Sequence, residues 1–222
     1  MKFERSITMN VLVIGANGQI GQKVVNLLQE SEEHTVKAMV RKEEQASALA
    51  KQGVESVVAS LEDSVDELAN AITGSDAVIF TAGSGGKTGS DKTLLVDLDG
   101  AVKTVEASEK LGINRYVMVS AFQANNRKNW NDSLLPYYAA KHYADKALEA
   151  SSLSYTIVRP GGLLNEEGTG KVAIGEQLDR GSVPREDVAQ VVVDSLTTQN
   201  VNNRAFDLTS GDTPIKEALQ RL

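Results

Sequence analysis

Short apolar runs recur along this 222-residue chain, with stretches of helical period between them. The runs Val11 to Ile14, Val36 to Val40, Ser56 to Ala59, Ala77 to Thr81, Tyr116 to Ser120, Tyr155 to Val158 and Ala205 to Leu208 read as strands. Helices are expected near 19 to 30, 43 to 52, 64 to 73, 91 to 111, 136 to 151 and 185 to 199, with a short one after Pro214. This alternation predicts an α/β architecture, a doubly wound and mainly parallel sheet with helices on both faces. The length suits one domain, taken as 9 to 222 because Met9 stands directly before the first strand. Residues 1 to 8 then read as an N-terminal extension.

The first run, Val-Leu-Val-Ile, breaks into three glycines spaced three apart, Gly15, Gly18 and Gly21, just before a helical pattern begins. Gly15 suits a tight turn, Gly18 lets the main chain approach a pyrophosphate, and Gly21 lets the helix pack against the strand. The intervening Asn17, Gln19 and Ile20 belong to the same turn, which aims free N–H groups and the positive helix end at phosphates. The dinucleotide fingerprint is G-x-G-x-x-G; this chain has G-x-x-G-x-x-G, one residue longer in the turn. A protein choosing NAD ends its second strand with a carboxylate for the adenosine ribose. Here that strand ends in Arg41-Lys42. The planar fork of Arg41 matches a 2′-phosphate and points to NADP; the alternative is a solvated pair opening a helix with Glu43 and Glu44.

Composition narrows the rest. A net charge of −7 argues against a nucleic-acid surface. The chain has no cysteine and two histidines, His34 and His142, far apart, so no metal site is expected. No apolar stretch has the length of a membrane span and the start lacks a signal peptide's apolar core, which makes the cytoplasm the default compartment. Two loops follow strand ends, where open α/β sheets hold ligands: 83 to 90, and 161 to about 183, the latter expected as a mobile cover over a pocket for a small-molecule substrate. A monomer or a homodimer is expected, with 91 to 111 as a plausible pairing surface.

Chemistry gathers around Pro136-Tyr-Tyr-Ala-Ala-Lys141. Pro136 suits a first helical turn, and Tyr137 and Lys141, four apart, share a helix face. A neighbouring ammonium and an oxidised nicotinamide both favour the Tyr137 phenolate, so Tyr137 can exchange a proton while Lys141 tunes it and holds the ribose. Ser120, ending the fifth strand, can hydrogen-bond the same substrate oxygen. With GANGQIG at 15 to 21, TAGS at 81 to 84, VMVSA at 117 to 121, YYAAK at 137 to 141 and VRPGG at 158 to 162, the chain resembles the short-chain dehydrogenase/reductase superfamily from Met9 onwards. It looks most like the atypical, sugar-epimerase-like NAD(P)-binding members.

The resemblance implies a Rossmann-like fold and hydride transfer between NADP(H) and a small carbonyl-type substrate, with Ser120, Tyr137 and Lys141 in the Ser-Tyr-Lys roles. It implies further cofactor contacts from Ala82, Gly83 and Ser84, and from the turn Pro160, Gly161 and Leu163 against the nicotinamide carboxamide. Two departures stand out. Asp97 replaces the usual Asn, either as a proton relay or as a structural carboxylate anchoring a backbone or Lys141. Ala59-Ser60-Leu61 replaces Gly-Asp-Leu, so Ser60 and Leu61 frame the adenine through a weaker contact. Arg159 is read as a paired structural residue rather than a substrate-binding cation, and Trp130 either stacks on a ligand or pins its loop. The leading function is an NADP-dependent oxidoreductase; the alternatives are a redox sensor that binds NADP(H) without turnover and a sugar epimerase, against which the short remainder after Arg159 speaks.

Overall fold

The computed structural model describes residues 9–86 and 88–222, so the extension read at residues 1 to 8 lies outside the described residues. Its first half alternates β1 (Met9–Ile14), α1 (Gln19–Gln29), β2 (His34–Val40), α2 (Glu43–Ala50), β3 (Glu55–Val58), α3 (Val65–Ile72) and β4 (Ala77–Phe80). A long helix follows, built from α4 (Ser90–Lys92), a π-helical stretch Thr93–Gly100 and α5 (Ala101–Lys110). Then come β5 (Arg115–Val119), α6 (Leu135–Ala150) and β6 (Ser154–Pro160), the short strands β7 (Gly162–Leu164), β8 (Lys171–Gly175) and β9 (Ser182–Pro184), α7 (Arg185–Asp194), β10 (Arg204–Ser210), β11 (Thr213–Pro214) and α8 (Ile215–Gln220).

The main sheet has the order β11-β8-β10-β6-β5-β4-β1-β2-β3. All seven strands read from the apolar runs form, and they pair in parallel from β3 across to β10. Val13 sits between Ala38 on one side and Ile79 on the other, so β1 is central. The winding reverses between β1 and β4, and the carboxyl ends of those strands therefore open a crevice. The side-chain alternation of β1 builds both layers of the core. Val11 and Val13 pack with Val24 and Leu28 of α1 and with Val188 and Val192 of α7. Leu12 and Ile14 pack with Leu68 of α3, Val105 of α5 and Leu148 of α6.

Two expectations are corrected. The segment 161 to 183 is not a free loop: β7 pairs in parallel with β9, and β8 joins the main sheet antiparallel to β10 and β11. Its strands are three to five residues long and set among glycines, with Val172 and Val183 as deeply buried anchors, so no periodicity marks them. The segment is also tied from outside, because Asp187 accepts the N–H groups of Thr169 and Gly170 at 3.0 and 2.9 Å. The helix expected over 185 to 199 stops at Asp194. There the hydroxyls of Ser195 and Thr198 donate to the carbonyls of Val191 and Asp194 and compete with helix continuation.

Buried polar groups brace the sheet. Arg115 donates to the Ser154 carbonyl (2.9 Å), Thr156 Oγ1 (2.5 Å) and the Ser195 carbonyl (2.6 Å), joining β5 and β6 to the end of α7, and burial lowers its pKa to about 10. His34, at the start of β2, is buried with Nδ1 unpartnered among the described residues, and burial holds its pKa below 6.5 against the opposing charge of Glu33. The folded chain thus resists a proton that the unfolded chain accepts. Stability from this group is complete above about pH 6.5 and declines as pH falls towards the lower folded-state value. Thermal unfolding between pH 7.5 and 5.5 should show a smaller acid-induced loss in His34→Leu than in the wild type.

Candidate active site

The turn after β1 is shaped by backbone contacts that exclude side chains. Gly15 has φ +85°, and a Cβ there would stand 2.6 Å from the Ala82 nitrogen at the end of β4. A Cβ on Gly21 would overlap the Gly15 carbonyl oxygen, so α1 lies directly on the turn. The Gly18 N–H donates to the Gly15 carbonyl at 2.9 Å, and the first helical bond runs from Gln22 N–H to the Gly18 carbonyl. The N–H groups of Gln19, Ile20 and Gly21 are therefore left without helical partners, and no acidic residue occupies the first turn. This cradle suits a pyrophosphate.

A cleft of about 240 Å³ extends from Gly15, Asn17 and Gly18 past Ser60 and Leu61 to Arg41. Arg41 is exposed; its main-chain N–H donates to Gln45 Oε1 at 3.1 Å, while its guanidinium forms no ion pair among the described residues. Glu43 and Glu44, in the first turn of α2, do not engage it. Ser60 is fixed on both sides: its N–H donates to Asp63 Oδ2 and its hydroxyl accepts the Glu62 N–H.

A second cleft of about 570 Å³ shares Thr81, Ala82 and Gly83 with the first, so the two form one groove over the carboxyl ends of β1, β4 and β5. Ile20, Ser84, Asp97, Ser120, Tyr137, Lys141, Pro160 and Leu163 line it. Gln19, Gly21 and Gly161 line neither cleft. Gly161 was expected at the nicotinamide, but its N–H is taken by the Leu208 carbonyl at 2.9 Å.

Lys141 is buried on α6, its Nζ 3.3 Å from Asp97 Oδ1, 3.4 Å from the Ala82 carbonyl and 5.8 Å from the centre of the Tyr137 ring. Asp97, fully buried on the π-helical stretch, also accepts the Ser84 N–H through Oδ2 at 3.0 Å. It is thus an anchor for both a backbone and Lys141. Burial alone would lower the Lys141 pKa; Tyr137, Asp97 and Asp145 together outweigh it and hold the ammonium charged. For half-buried Tyr137 the balance is opposite. Burial raises the phenol and the nearby carboxylates Asp97 and Asp145 add to this; Lys141 pulls the other way, as expected, but offsets the rise only in part. At neutral pH the Tyr137 phenol is therefore protonated.

Ser120 is buried, and its Oγ makes no hydrogen bond of good geometry. It faces the Asp145 carboxyl, which burial raises above its ordinary value, with Arg159 and then Ser120 opposing the rise only in part. Asp145 accepts Arg159 Nε at 2.8 Å, and Arg159 also reaches Glu149, so Arg159 is the paired structural residue read from the sequence. Trp130 pins its loop: its Nε1 donates to the Ala124 carbonyl at 3.1 Å, its ring stacks on Tyr138, and it lines neither cleft. Asp207 ties the same loop to the segment before β9, accepting the N–H groups of Gln123 (φ +51°) and Leu178. Sequence reasoning missed Arg185, Thr93 and Leu134, all of which line the second cleft. Arg185 reaches it because β9 turns the chain back, and β9 has no sequence signal.

The reversal beside β1, the glycine turn and the groove define a dinucleotide-binding protein of the Rossmann type. Residues 15–199 match the model of the NAD(P)H-binding family, and the chain belongs to that family, among the atypical short-chain dehydrogenases/reductases. It is 62% identical over 214 residues to the uncharacterized sugar epimerase YhfK of Bacillus subtilis, covering 96% of this chain and all of that protein. A putative NAD-dependent epimerase/dehydratase from Bacillus halodurans superposes with a TM-score of 0.90 at 42% identity, covering 96% of this chain and 100% of that one. ChuY, an anaerobillin reductase from Escherichia coli O157:H7, superposes with a TM-score of 0.77 at 26% identity, covering 91% and 98% of the two chains. No described helix is long and apolar enough to cross a membrane.

Proposed function

We propose that the protein is an NADPH-dependent reductase of small carbonyl compounds. The observation that carries this reading is the continuous groove, with the glycine cradle and Arg41 at one end and Tyr137, Lys141 and Ser120 at the other. The groove would hold NADPH along its length, and the chemistry that cofactor would supply there is hydride for the carbonyl carbon. Tyr137 donates its phenolic proton to the carbonyl oxygen. Lys141, fixed by Asp97 and the Ala82 carbonyl, holds the ribose and carries positive charge beside the phenol as that proton leaves. Asp97 acts through Lys141 and the Ser84 backbone rather than on substrate. Ser120, rotated away from Asp145, supports the same oxygen. Thr81, Ala82 and Gly83 form the floor between the two ends, and Pro160 and Leu163 close the far wall.

Arg41 carries the choice of NADPH. Arg41→Ala should raise the NADPH dissociation constant about tenfold and leave that of NADH unchanged, since one charge-assisted fork to the 2′-phosphate is lost. Fluorescence titration of both cofactors checks this; equal changes would remove Arg41 from the choice. The reductase reading is tested by NADPH consumption across aldehydes, ketones, quinones and flavins. The second cleft is not filled by the 161 to 183 segment, which favours turnover over a sensor. Tight NADPH binding with no consumption would support the sensor. Sugar interconversion without net NADPH use would support the epimerase named in two relatives.

A further inference from the structure

Among the described residues, three charged side chains line the second cleft: Asp97, Lys141 and Arg185. The first two are paired with each other. Arg185 has no carboxylate partner among the described residues, although the chain as a whole is acidic. Its neighbour Glu186 is occupied by Lys23 at 3.1 Å and by the Gly168 N–H at 2.7 Å. One arm of the guanidinium is fixed: Nη1 donates to the Leu163 carbonyl at 3.2 Å and to Asn165 Oδ1 at 2.7 Å. Those bonds restrain the half-buried side chain at the cleft wall and leave Nη2 and Nε without acceptors among the described residues. A guanidinium with two neighbouring N–H groups free matches a carboxylate, which it grips in bidentate fashion.

The surrounding wall supplies the other half of the match. Leu134 and Leu163 line the cleft while 47% and 37% exposed, and Pro136 lies beside Leu134. Exposed leucines in a concave site imply an apolar body to cover them. We infer that the substrate is a carbonyl compound with an apolar body and a carboxylate, and that Arg185 is the specificity-determining residue that binds this carboxylate. The inference rests on the reductase reading, since it places the anionic group opposite the carbonyl held at Tyr137.

The probes are a matched pair, 4-carboxybenzaldehyde and its neutral analogue 4-formylbenzamide, assayed with NADPH and the full chain. The wild type should prefer the carboxylate by about tenfold or more in kcat/KM, with the preference shrinking as salt rises. Arg185→Gln should erase it through KM, with kcat and the NADPH dissociation constant unchanged. Arg185→Lys, which keeps the charge and loses the fork, should retain part of it. A preference that survives in Arg185→Gln overturns the inference, and so does a tenfold weaker NADPH affinity in that variant, which would give Arg185 to the cofactor phosphates. Equilibrium binding of unreactive terephthalate and terephthalamide to the NADPH complex gives the same comparison without turnover. Absence of reduction with Arg185-dependent terephthalate binding therefore counts against the reductase reading alone. Equal binding of the two ligands counts against the carboxylate site.

Discussion

Tyr137→Phe should lower carbonyl reduction by about 10²- to 10⁴-fold, the usual worth of a positioned general acid, while NADPH affinity and thermal stability stay close to wild type. The ring does the packing: it meets Tyr138 edge-on at 6.0 Å between centres and lies beside the Lys141 ammonium, and Phe preserves both contacts. Only the transferable proton is removed. The same geometry sets the pH profile. With the phenol held above its ordinary value of 10, Tyr137 remains protonated through the neutral and mildly alkaline range, so its alkaline limb of kcat should lie above pH 10. Steady-state rates with one reactive aldehyde test both points. An unchanged rate in Tyr137→Phe would assign the proton to another group.

Gly21→Ala should be almost as damaging, through binding rather than chemistry. The added methyl overlaps the Gly15 carbonyl and stands 2.9 Å from the Ala16 Cα, both main-chain atoms that cannot swing aside. The helix must back away from β1, carrying the free N–H groups of α1 with it. A displacement of even part of an ångström misplaces several hydrogen bonds to the pyrophosphate together. The NADPH dissociation constant should rise about 100-fold, with overpacking costing about 2 kcal/mol of stability. Gly86→Ala makes the same chemical change where a Cβ meets nothing within 4 Å, and its stability should match the wild type. Titration calorimetry and urea unfolding separate the two variants.

What the sequence disclosed follows from the size of each signal. Val11 to Ile14 and Ala77 to Phe80 are runs buried on both faces, and such runs are visible without knowing what covers them. Gly15 and Gly21 were legible because backbone clashes forbid any other residue. Tyr137 and Lys141 were legible because one helix turn joins them. In contrast, β7, β8 and β9 have three to five residues each; β7 finds its partner in β9, 20 residues on, and β8 finds its own in β10, more than 30 residues on. Arg185 was hidden for the same reason. The sequence left Asp97 between relay and anchor; its contacts to Ser84 and Lys141 form only once two loops and α6 converge. The contribution of burial to the Tyr137 phenol was also beyond reach, since it depends on how much of the ring is covered.

A π-helical stretch is equivalent to a residue inserted into an α-helix. Thr93–Gly100 therefore puts a phase offset between the turn before it and Ala101–Lys110 after it, when one α-helical residue is worth about 100° of rotation. Val105 keeps the indexing that suits β4 and β5, while Asp97 keeps a different one that suits the groove. A single deletion between Thr93 and Asp97 would re-index the upstream end alone. A helix divided in this way can exchange what it presents to a ligand while its grip on the core stays as it was.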